Sequence, residues 1–543
     1  MEKSDFTKLT ILDVLRNAVG RAPRSIAVKF ADDRAYEVRE LWEGALRIGR
    51  SLVDADMQPG DRIGIMIGNR IEFLTSWFGV FAMGGVPVPL NTSQRGAVLK
   101  HMLDLCGIRC MIIENQFVEP TCTTILEADS VDLVAVVGGA SGISLNPKTL
   151  VDFETWEGSS DDIEPYASKP SDLATLMLTS GTTGPSKAIM FTHTTALIMS
   201  VQGSDVCDYQ PEDVVYTCLP LFHGNALFCS YLPALMVGAT PVIGNRFSAA
   251  NFWQELAREK ATKVSLLGTM HGILHRQPPS ADDRAHVVKR AVVAPAPVGY
   301  YGDFEDRFGL QITQFYGLTD GNMITGVLPH QSAIARTKPA SCGPVMKYWD
   351  VRIVDDKDED VPVGEVGEML IRPKVPFSTP LGYFKMPEET LALWRNLWIH
   401  TGDNFRQDAD GWLYFLDRKK DALRRSGENI SSFEVETVLR LFPGIVDAAV
   451  YAVPSTEGED DVAAAIEVDS GWSGDFEALL SYCYGQLAYF AIPRYVRVVE
   501  TLPRTQSQKV RKDVLRGEGI APDAWDRGPG GRKALEVRLG VKS

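Results

Sequence analysis

From Asp61 onward, short apolar runs alternate with amphipathic segments along the chain. RIGIMI over residues 62–67 predicts a strand, RIEFLTSWFGVFAM a helix, and VPVPL a second strand. The same alternation returns in VVYTCL, ATPVIG, AANFWQELAREK, KVSLLG, KRAVVA, YYGDFEDRF and QITQFYG. Because strands and helices that alternate in this way form parallel or mixed sheets covered by helices, we expect an α/β fold.

The pattern changes beyond about residue 345. Short strands separated by turn residues follow, in DVRIVDD, VGEMLIRP and GWLYFL. Ser431 and Glu434 then have the spacing of a capping box, which predicts the start of a helix, and a smaller α/β pattern fills the rest of the chain. We therefore expect a large α/β domain over residues 1–417 and a smaller α+β domain over residues 418–543.

Length and charge narrow the functional classes. The 543 residues exceed the ~250–300 that a single hydrophobic core supports, and 45% of them are hydrophobic, so two cores are expected. The net charge of −15 argues against a general nucleic-acid binder, which holds phosphates with clustered lysine and arginine. An acidic substrate would therefore need a locally basic site.

Three features predict a cytoplasmic protein without a membrane span. The N-terminal MEKSDFTKLT has mixed charge and no apolar core, unlike a signal peptide. The longest apolar stretch, residues 73–90, is interrupted by glycines and prolines, and a span needs ~20 uninterrupted apolar residues. The eight cysteines form no CxxC pair, which suits a reducing compartment and indicates neither a disulfide scaffold nor a zinc site.

The stretch LMLTSGTTGPSKAIMFTH, residues 176–193, places a polar loop between two apolar runs. A P-loop is excluded, because Ser186 precedes Lys187 and Ala188 follows it. Hydroxyl groups, flexible glycines and one cation can still wrap a triphosphate. A polar hairpin turn between buried strands is the alternative that this stretch leaves open. The candidate phosphate-binding residues are Thr179, Ser180, Gly181, Thr182, Thr183, Gly184 and Lys187.

TSGTTGPSK closely resembles the phosphate loop of the adenylate-forming enzymes, which include acyl-CoA synthetases, adenylation domains and firefly-type luciferases. Five further segments resemble motifs of that family in the same order. They are PLFH at 220–223, QFYGLTD at 314–320, HTGD at 400–403, DRKKDALRRSGENISSFEVE from 417, and LPRTQSQKVRKDVLR at 502–516. PLFHGNA and the AWDR of the tail also resemble the carnitine/crotonobetaine-CoA ligase subgroup.

The resemblance implies a two-step reaction of ATP, a carboxylic acid and a thiol. The carboxylate attacks the α-phosphate of ATP, pyrophosphate leaves, and an acyl-adenylate remains. The thiol, usually that of coenzyme A, then displaces AMP. ATP, Mg²⁺ and coenzyme A are the implied cofactors, and positioning with electrostatic stabilisation is the implied means of catalysis.

Individual roles in adenylation follow from the same resemblance. Lys509 would reach the carboxylate and the α-phosphate, and Thr319 would also contact the α-phosphate. Tyr316 would stack on adenine, Asp320 would bind Mg²⁺, and Asp403 would hold the ribose hydroxyls. The further implied nucleotide contacts are Ala296, Gln314, Phe315, Gly317 and Arg418.

The resemblance also implies a thiol tunnel and a mobile C-terminal domain. Lys420 stands at the hinge position, and the face that swings into place would carry Ser426, Gly427 and Glu428. Gly427 would line the tunnel, since the lack of a side chain leaves room there. His223 would gate the tunnel from the other side, although a histidine beside an apolar run also suits a structural role.

Four positions depart from the family pattern. Ala188 and Gln508 replace glycines, Asp320 replaces the usual glutamate, and Ala294 with Pro295 replaces a glycine pair. Because the resemblance places these positions around the nucleotide, an alternative is an enzyme with impaired adenylation. Such an enzyme would thioesterify an acyl-adenylate supplied by a separate adenylating enzyme.

We expect the substrate to be a small, apolar carboxylic acid. LFHGNAL lacks the aspartate that pairs with an amino-acid substrate, and the expected pocket residues Gly224, Asn225, Pro295 and Pro297 are small or uncharged. Three other functions remain open from the sequence. They are a luciferase-like oxygenase, a ligase that loads a carrier protein, and a non-catalytic adenylate-binding protein.

Overall fold

A computed structural model describes most of the chain. The described residues are 6–31, 34–157, 163–178, 186–267, 270–294, 296–419, 423–425, 428–454, 460–505 and 509–528, with Leu535 and Arg538. The chain divides into two compact units. The first unit is Met1–Val351 with Ile371–Ile399, and the second is Arg352–Leu370 with His400–Ser543. The expected domain boundary at residue 418 stays a prediction.

Seventeen α-helices lie within the described ranges. They are α1 Ile11–Arg21, α2 Val38–Asp54, α3 Ile71–Ala82, α4 Gly96–Cys106, α5 Asn115–Val118, α6 Cys122–Glu127, α7 Phe153–Glu157, α8 His193–Cys207, α9 Leu232–Val237, α10 Phe252–Arg258, α11 Met270–Arg276, α12 Tyr301–Phe308, α13 Ser332–Thr337, α14 Pro387–Leu393, α15 Ser432–Arg440, α16 Phe476–Gln486 and α17 Lys512–Glu518. A π-helix covers Asn225–Tyr231. Short 3-10 turns cover Phe6–Lys8, Glu119–Thr121, Ala281–Arg284, Pro329–Gln331 and Arg395–Leu397.

The same ranges hold twenty-six strands. They are β1 Ile26–Phe30, β2 Ala35–Glu37, β3 Arg62–Met66, β4 Val86–Pro89, β5 Ile108–Glu114, β6 Leu133–Val137, β7 Thr149–Asp152, β8 Leu173–Leu178, β9 Ala188–Thr192, β10 Val214–Thr217, β11 Thr240–Ile243, β12 Lys263–Leu267, β13 Arg290–Ala294, β14 Gln311–Leu318, β15 Asn322–Gly326, β16 Gly343–Pro344, β17 Trp349–Val354, β18 Gly367–Pro373, β19 Ile399–Gln407, β20 Trp412–Arg418, β21 Leu423–Arg425, β22 Glu428–Ile430, β23 Ile445–Pro454, β24 Asp460–Val468, β25 Tyr495–Val499 and β26 Trp525–Asp526.

An eight-stranded mixed sheet organises the first unit. Its order is β15-β14-β13-β12-β10-β11-β1-β2, with parallel pairing from β14 to β1 and antiparallel strands at both edges. From β10 the chain continues to β11, which is the neighbour of β10 in one direction across the sheet. It then continues to β12, which is the neighbour of β10 in the opposite direction. This reversal is a topological switch point, and in α/β sheets ligands bind beside the carboxyl ends of the strands at such a point.

A second, all-parallel sheet of five strands completes the first unit, in the order β4-β3-β5-β6-β7. The hairpin β8–β9 has its own antiparallel pairing, and Leu176 and Ala188 from it lie in the hydrophobic core beside this sheet. Mixed and parallel sheets covered by helices confirm the expected α/β class. Within the described ranges, no helix is long and apolar enough to cross a membrane.

The second unit has its own hydrophobic core around a four-stranded sheet, ordered β23-β24-β25-β26. Helix α15 begins one residue after Ser431, as its sequence predicts. Ser431 donates its hydroxyl to the Leu416 carbonyl, whereas the backbone N–H of Ser432 donates to the Asp417 carboxylate at 2.6 Å. The helix N-terminus is therefore capped by a carboxylate at the end of β20, which the local sequence of α15 does not contain.

Candidate active site

The expected substrate gate lies at the switch point of the eight-stranded sheet. Residues 218–224 follow β10 directly, and the N–H of His223 donates to the Pro220 carbonyl at 3.0 Å. The π-helix starts at Asn225, and its side-chain oxygen accepts from the Ser265 hydroxyl of β12 at 3.0 Å. This hydrogen bond joins the chain after β10 to the neighbouring strand β12. Gly224 and Asn225, two of the predicted acyl-binding residues, therefore lie where the topology predicts a ligand.

Gly224 faces apolar side chains. A methyl group placed on its α-carbon would lie 3.5 Å from Phe228 and 3.7 Å from Met177, both ordinary van der Waals distances. Its φ of −57° is accessible to any residue, so a side chain would cause no backbone strain here. Pro297 is buried in the turn after β13, and Pro295 lies outside the described residues.

Strand β14 carries the predicted adenine motif beside β13. Gln314 pairs in register with Val293 and is 1% exposed, and neither its amide nitrogen nor its amide oxygen has a hydrogen-bond partner among the described residues. An unsatisfied buried amide is costly, so this side chain has hydrogen-bonding capacity for a ligand or water. Phe315 packs against a hydrophobic cluster that includes Val292, and it pairs with Gly326 of β15.

The remaining members of this motif are more accessible. Tyr316 is half-buried and donates its backbone N–H to the Thr325 hydroxyl at 3.3 Å. Gly317 and Thr319 are exposed. Ala296, after β13, is half-buried and accepts a hydrogen bond from the N–H of Val298. β13 and β14 run parallel, and Ala296 and Thr319 each follow the carboxyl end of one of these strands.

The phosphate loop leads into β9. Thr179, Ser180, Gly181, Thr182, Thr183 and Gly184 lie outside the described residues. The Lys187 ammonium lies 4.2 Å from the ring centroid of Tyr383. Ala188 is fully buried in the hydrophobic core, so the methyl group that departs from the family pattern packs inside the protein.

Asp320 lies two residues beyond β14 and is half-buried. The Tyr383 hydroxyl donates a hydrogen bond to its Oδ2 atom. A partly accessible carboxylate suits Mg²⁺, which binds one or two carboxylates together with substrate phosphates. Among the described residues, no cluster of three or more histidine, cysteine, aspartate or glutamate side chains could hold a metal ion.

In the second unit, Asp403 and Arg418 stand opposite each other on the antiparallel pair β19–β20. Their Oδ1 and Nε atoms are 3.7 Å apart. The Asp403 carboxylate is largely buried, and its backbone N–H donates to the Thr401 hydroxyl at 3.2 Å. The sequence analysis assigned both residues to the nucleotide, and this strand pairing places them next to each other.

Lys509 is exposed and lies beside the antiparallel bridge between Arg504 and Val510, which we call the Lys509 hairpin. Its backbone N–H donates to the Thr505 hydroxyl at 3.2 Å, and the Thr505 N–H donates back to its carbonyl at 2.7 Å. Arg504, at the base of this hairpin, binds the buried Asp447 at 2.6 Å and Glu467 at 3.4 Å. A buried anion therefore anchors the segment that presents the expected catalytic lysine.

Asp447 is held between two arginines. Arg440 approaches its other carboxylate oxygen at 2.7 Å. Burial acts to raise the pKa of Asp447, but the charges and hydrogen bonds of Arg440 and Arg504 outweigh it and lower the pKa below its ordinary value.

The hinge and tunnel residues are only partly within the described chain. Lys420, Ser426 and Gly427 lie outside it. Glu428 begins β22, and its backbone pairs with Arg425 of β21. The departing residue Gln508 also lies outside the described ranges.

Sequence reasoning missed two side chains that contact candidate site residues. Ser265 binds Asn225 from β12, and Tyr383 contacts both Lys187 and Asp320. Tyr383 lies 63 positions from Asp320, so no local pattern could link them. Only the glycine before it, in LGYF, marks an unusual backbone position.

Two family models match the chain. The model described as AMP-binding enzyme matches residues 15–384, and the model described as AMP-binding enzyme C-terminal domain matches residues 434–509. Curated relatives include the crotonobetaine/carnitine–CoA ligases of Salmonella heidelberg (strain SL476) and Salmonella choleraesuis (strain SC-B67). These are 27% and 28% identical over 488 residues, which cover 89% of this chain and 93% of each relative.

Solved structures share the fold. The anthranilate CoA ligase AuaEII in complex with anthranoyl-AMP has a TM-score of 0.86 at 23% identity, and the match covers 95% of this chain and 98% of that one. ATP-bound MatB from Rhodopseudomonas palustris has a TM-score of 0.82 at 24% identity, with 94% and 99% covered. The o-succinylbenzoate CoA synthetase of Bacillus subtilis with its acyl-adenylate intermediate has a TM-score of 0.79 at 23% identity, with 96% and 100% covered.

Proposed function

We propose, from the premise that the chain belongs to the AMP-binding enzyme family, that it activates an apolar carboxylic acid as an acyl-adenylate and transfers the acyl group to coenzyme A. Membership confirms the resemblance to the adenylate-forming enzymes and the expected class, an AMP-forming acid–CoA ligase. ATP, Mg²⁺ and coenzyme A are its cofactors. The nature of the acid and the role of each residue are the proposed part.

In the first step, the acid carboxylate attacks the α-phosphate and pyrophosphate leaves. Tyr316 and Gln314 bind adenine, and Lys187 contacts the phosphates. Thr319 binds the α-phosphate, and Asp320 provides the carboxylate for Mg²⁺. When bound, Mg²⁺ would neutralise phosphate charge and so reduce the electrostatic repulsion between the negatively charged carboxylate and the nucleotide.

Residues of the second unit complete the proposed reaction. Asp403 accepts hydrogen bonds from the ribose hydroxyls, and Arg418 contacts ribose or phosphate. Lys509 brings a flexible point charge to the carboxylate and the α-phosphate. Glu428 belongs to the segment that we assign to the thiol step, in which the thiol of coenzyme A attacks the acyl carbon and AMP leaves.

The apolar surroundings of Gly224 carry the proposal for the acid. Phe228 and Met177 are the nearest side chains to a methyl group placed on this glycine, and neither carries a charge or an N–H or O–H donor. The Oδ1 of Asn225 accepts a hydrogen bond from Ser265, so the protein uses one of its two lone pairs. The side chains that this pocket presents therefore favour an uncharged acyl group over a charged one.

The primary test is acid-dependent exchange of labelled pyrophosphate into ATP, with Mg²⁺ and without coenzyme A. The panel contains aliphatic, benzoic-type and polycyclic acids, and also carnitine and crotonobetaine because the curated relatives are named for them. We expect exchange with one apolar class. Exchange with the quaternary ammonium acids alone would contradict the apolar assignment while leaving adenylation intact.

A pocket variant ties the result to this site. Gly224→Leu fills the space beside Phe228 and Met177, so it should raise the KM for the preferred acid by at least about tenfold and leave the KM for ATP unchanged. Gly20→Leu is the matched control, because a side chain on Gly20 in α1 meets no atom within 4 Å. Equal increases in the KM for the acid and the KM for ATP would show that Gly224 does not line the acyl pocket.

The placements of Ala188 and Asp320 support retained adenylation over the thioesterification-only alternative. The Ala188 methyl packs in the core, and the Asp320 carboxylate is bonded by Tyr383. Preformed acyl-adenylates with coenzyme A separate the two functions: turnover of the adenylate without any exchange would favour the alternative. Replacing coenzyme A by a phosphopantetheinylated carrier protein tests which thiol is the acceptor. The absence of turnover with ATP and also with preformed acyl-adenylates would indicate a non-catalytic binding protein.

A further inference from the structure

Tyr383 lies between two side chains of the first unit that we assign to the nucleotide. Its hydroxyl donates to Oδ2 of Asp320, and the Lys187 ammonium lies 4.2 Å from its ring centroid. The residue is 7% exposed. One buried side chain therefore contacts both the cation that follows the phosphate loop and the carboxylate that follows β14.

Backbone pairing fixes this arrangement. The segment 381–384 runs antiparallel to β9 and bridges Ile189 opposite Tyr383. Three backbone hydrogen bonds make the ladder, from Leu381 N–H to Met190 carbonyl at 2.9 Å, from Met190 N–H to Gly382 carbonyl at 3.0 Å, and from Phe384 N–H to Ala188 carbonyl at 2.8 Å. Because Lys187 directly precedes β9, the ladder sets the distance between the lysine and the tyrosine.

Helix α14 also restrains Tyr383. Its N–H donates to the Thr390 hydroxyl at 2.9 Å. Gly382 has a φ of +115°, and a β-carbon on it would lie 2.2 Å from Thr390 Cγ2. Only glycine meets both conditions, so the residue before Tyr383 is constrained by this contact.

We propose that Tyr383 is a positioning residue of the nucleotide site, which orients the Asp320 carboxylate for Mg²⁺ and holds the Lys187 ammonium beside the phosphates. This rests on the proposed nucleotide roles of Asp320 and Lys187. The hydroxyl engages one carboxylate oxygen and leaves the other to the ion. The aromatic ring offers its negative face to the lysine. The short aspartate side chain thus gains a fixed orientation from a residue far away in sequence.

Tyr383→Phe removes the hydroxyl and keeps the ring. Calorimetric titration of the full chain with ATP, in Mg²⁺ and separately in EDTA, measures binding without turnover. We expect about tenfold weaker binding in Mg²⁺, the size expected for loss of one hydrogen bond to a carboxylate, and unchanged binding in EDTA. Tyr301→Phe is the matched control, since it removes another buried hydroxyl that donates to the Ile312 carbonyl at 3.2 Å, and it should change neither value.

Two further variants separate positioning from general loss of structure. If the hydroxyl acts through Asp320, then Tyr383→Phe added to Asp320→Asn should change Mg²⁺-dependent binding by less than about twofold. Tyr383→Leu also removes the ring, so it should weaken ATP binding in EDTA by about threefold through Lys187. A thermal unfolding midpoint equal to that of the wild type establishes that each variant is folded.

The outcomes distinguish this proposal from the function on which it rests. Wild-type protein that binds Mg·ATP, with Tyr383→Phe binding it equally well, would overturn the role of Tyr383 alone. Additive losses in the double variant would likewise place the tyrosine effect elsewhere than Asp320. A wild-type protein that binds no ATP under either condition would overturn both proposals.

Discussion

The two units hold their candidate site residues in place by different physical means. In the first unit, Gln314 lies buried within β14 beside Val293 of β13, and Asn225 begins the π-helix and accepts a hydrogen bond from Ser265 of β12. In the second unit, the hairpin of Lys509 is anchored through Arg504 to the buried Asp447. A buried ion pair leaves an uncompensated charge when one partner is removed, whereas apolar packing depends on no single partner. The comparison predicts where each unit is vulnerable.

Removing Asp447 should produce the largest effect. Asp447→Ala leaves Arg440 and Arg504 without their shared anion, so the second unit should lose about 4 kcal/mol of unfolding free energy. Hydrogen exchange of the backbone amides of β23 and β24, measured on the full chain, reports this loss of unfolding free energy in the second unit.

Asp526→Ala is the control for that change. Asp526 pairs with Arg494 at 3.3 Å near the surface of the same unit, and exposed pairs contribute under about 1 kcal/mol. Equal losses for the two variants would break the contrast between buried and exposed anions.

Acid should act first on the first unit, through His193. Burial lowers its pKa to about 4, against weaker opposing effects from Asp172 and Asp13, and its Nδ1 accepts from the Ile11 N–H at 3.2 Å. Because the unfolded chain binds this proton near pH 6.5, the contribution is fully present above that pH and is lost as pH falls towards 4. The first unit should lose roughly 3 kcal/mol over that window.

Chemical denaturation at pH 7 and pH 4.5 measures that loss. His193→Gln should remove most of the pH dependence between these values, because its side chain does not titrate. The lowered pKa of Asp447 makes its own contribution disappear only below its ordinary value near 3.8. Loss of the second unit before the first on acidification would reverse the comparison.

Lys509→Ala should separate anchoring from chemistry. The ammonium is exposed, so the unfolding free energy should stay unchanged, while acid-dependent pyrophosphate exchange should fall about 100-fold, or about 2.7 kcal/mol. Thioesterification of preformed acyl-adenylate should be largely retained. Arg511→Ala, a nearby exposed cation paired with Asp513, is the control, and an equal loss of exchange there would deny Lys509 a specific role.

The smallest expected effect lies at the switch point. Ser265→Ala removes the hydroxyl that binds Asn225 and should raise the KM for the acid about fivefold, which corresponds to about 1 kcal/mol. The KM for ATP serves as the internal reference. A change confined to ATP would move Asn225 from the acyl pocket to the nucleotide.

Sequence pattern predicts the local elements well, and contacts between distant segments poorly. β3, α3 and β4 fall where periodicity predicts them, because side-chain alternation is a local property. The carboxylate that caps α15 is Asp417, 15 residues before the Ser432 N–H it accepts from, and Tyr383 reaches its partners only through pairing with β9.

The candidate site shows the same division. Motifs identify Asp403 and Arg418, which stand in register on adjacent strands of the second unit, and the 314–320 segment of the first unit. The support beneath each residue depends on tertiary packing. The buried anion under the Lys509 hairpin and the hydroxyl on Asp320 carry no sequence signal, because their partners are recognised by geometry and not by spacing.

The π-helix at Asn225–Tyr231 has a consequence for evolution and for engineering. A π-turn is commonly an α-helix with one extra residue, so a single deletion can restore ordinary helical winding. Such a deletion would rotate the side chains on one side of it by about 100° and leave the sheet beneath untouched. Single-residue indels in this segment, more than point substitutions, are therefore an economical route to acquiring a new acid.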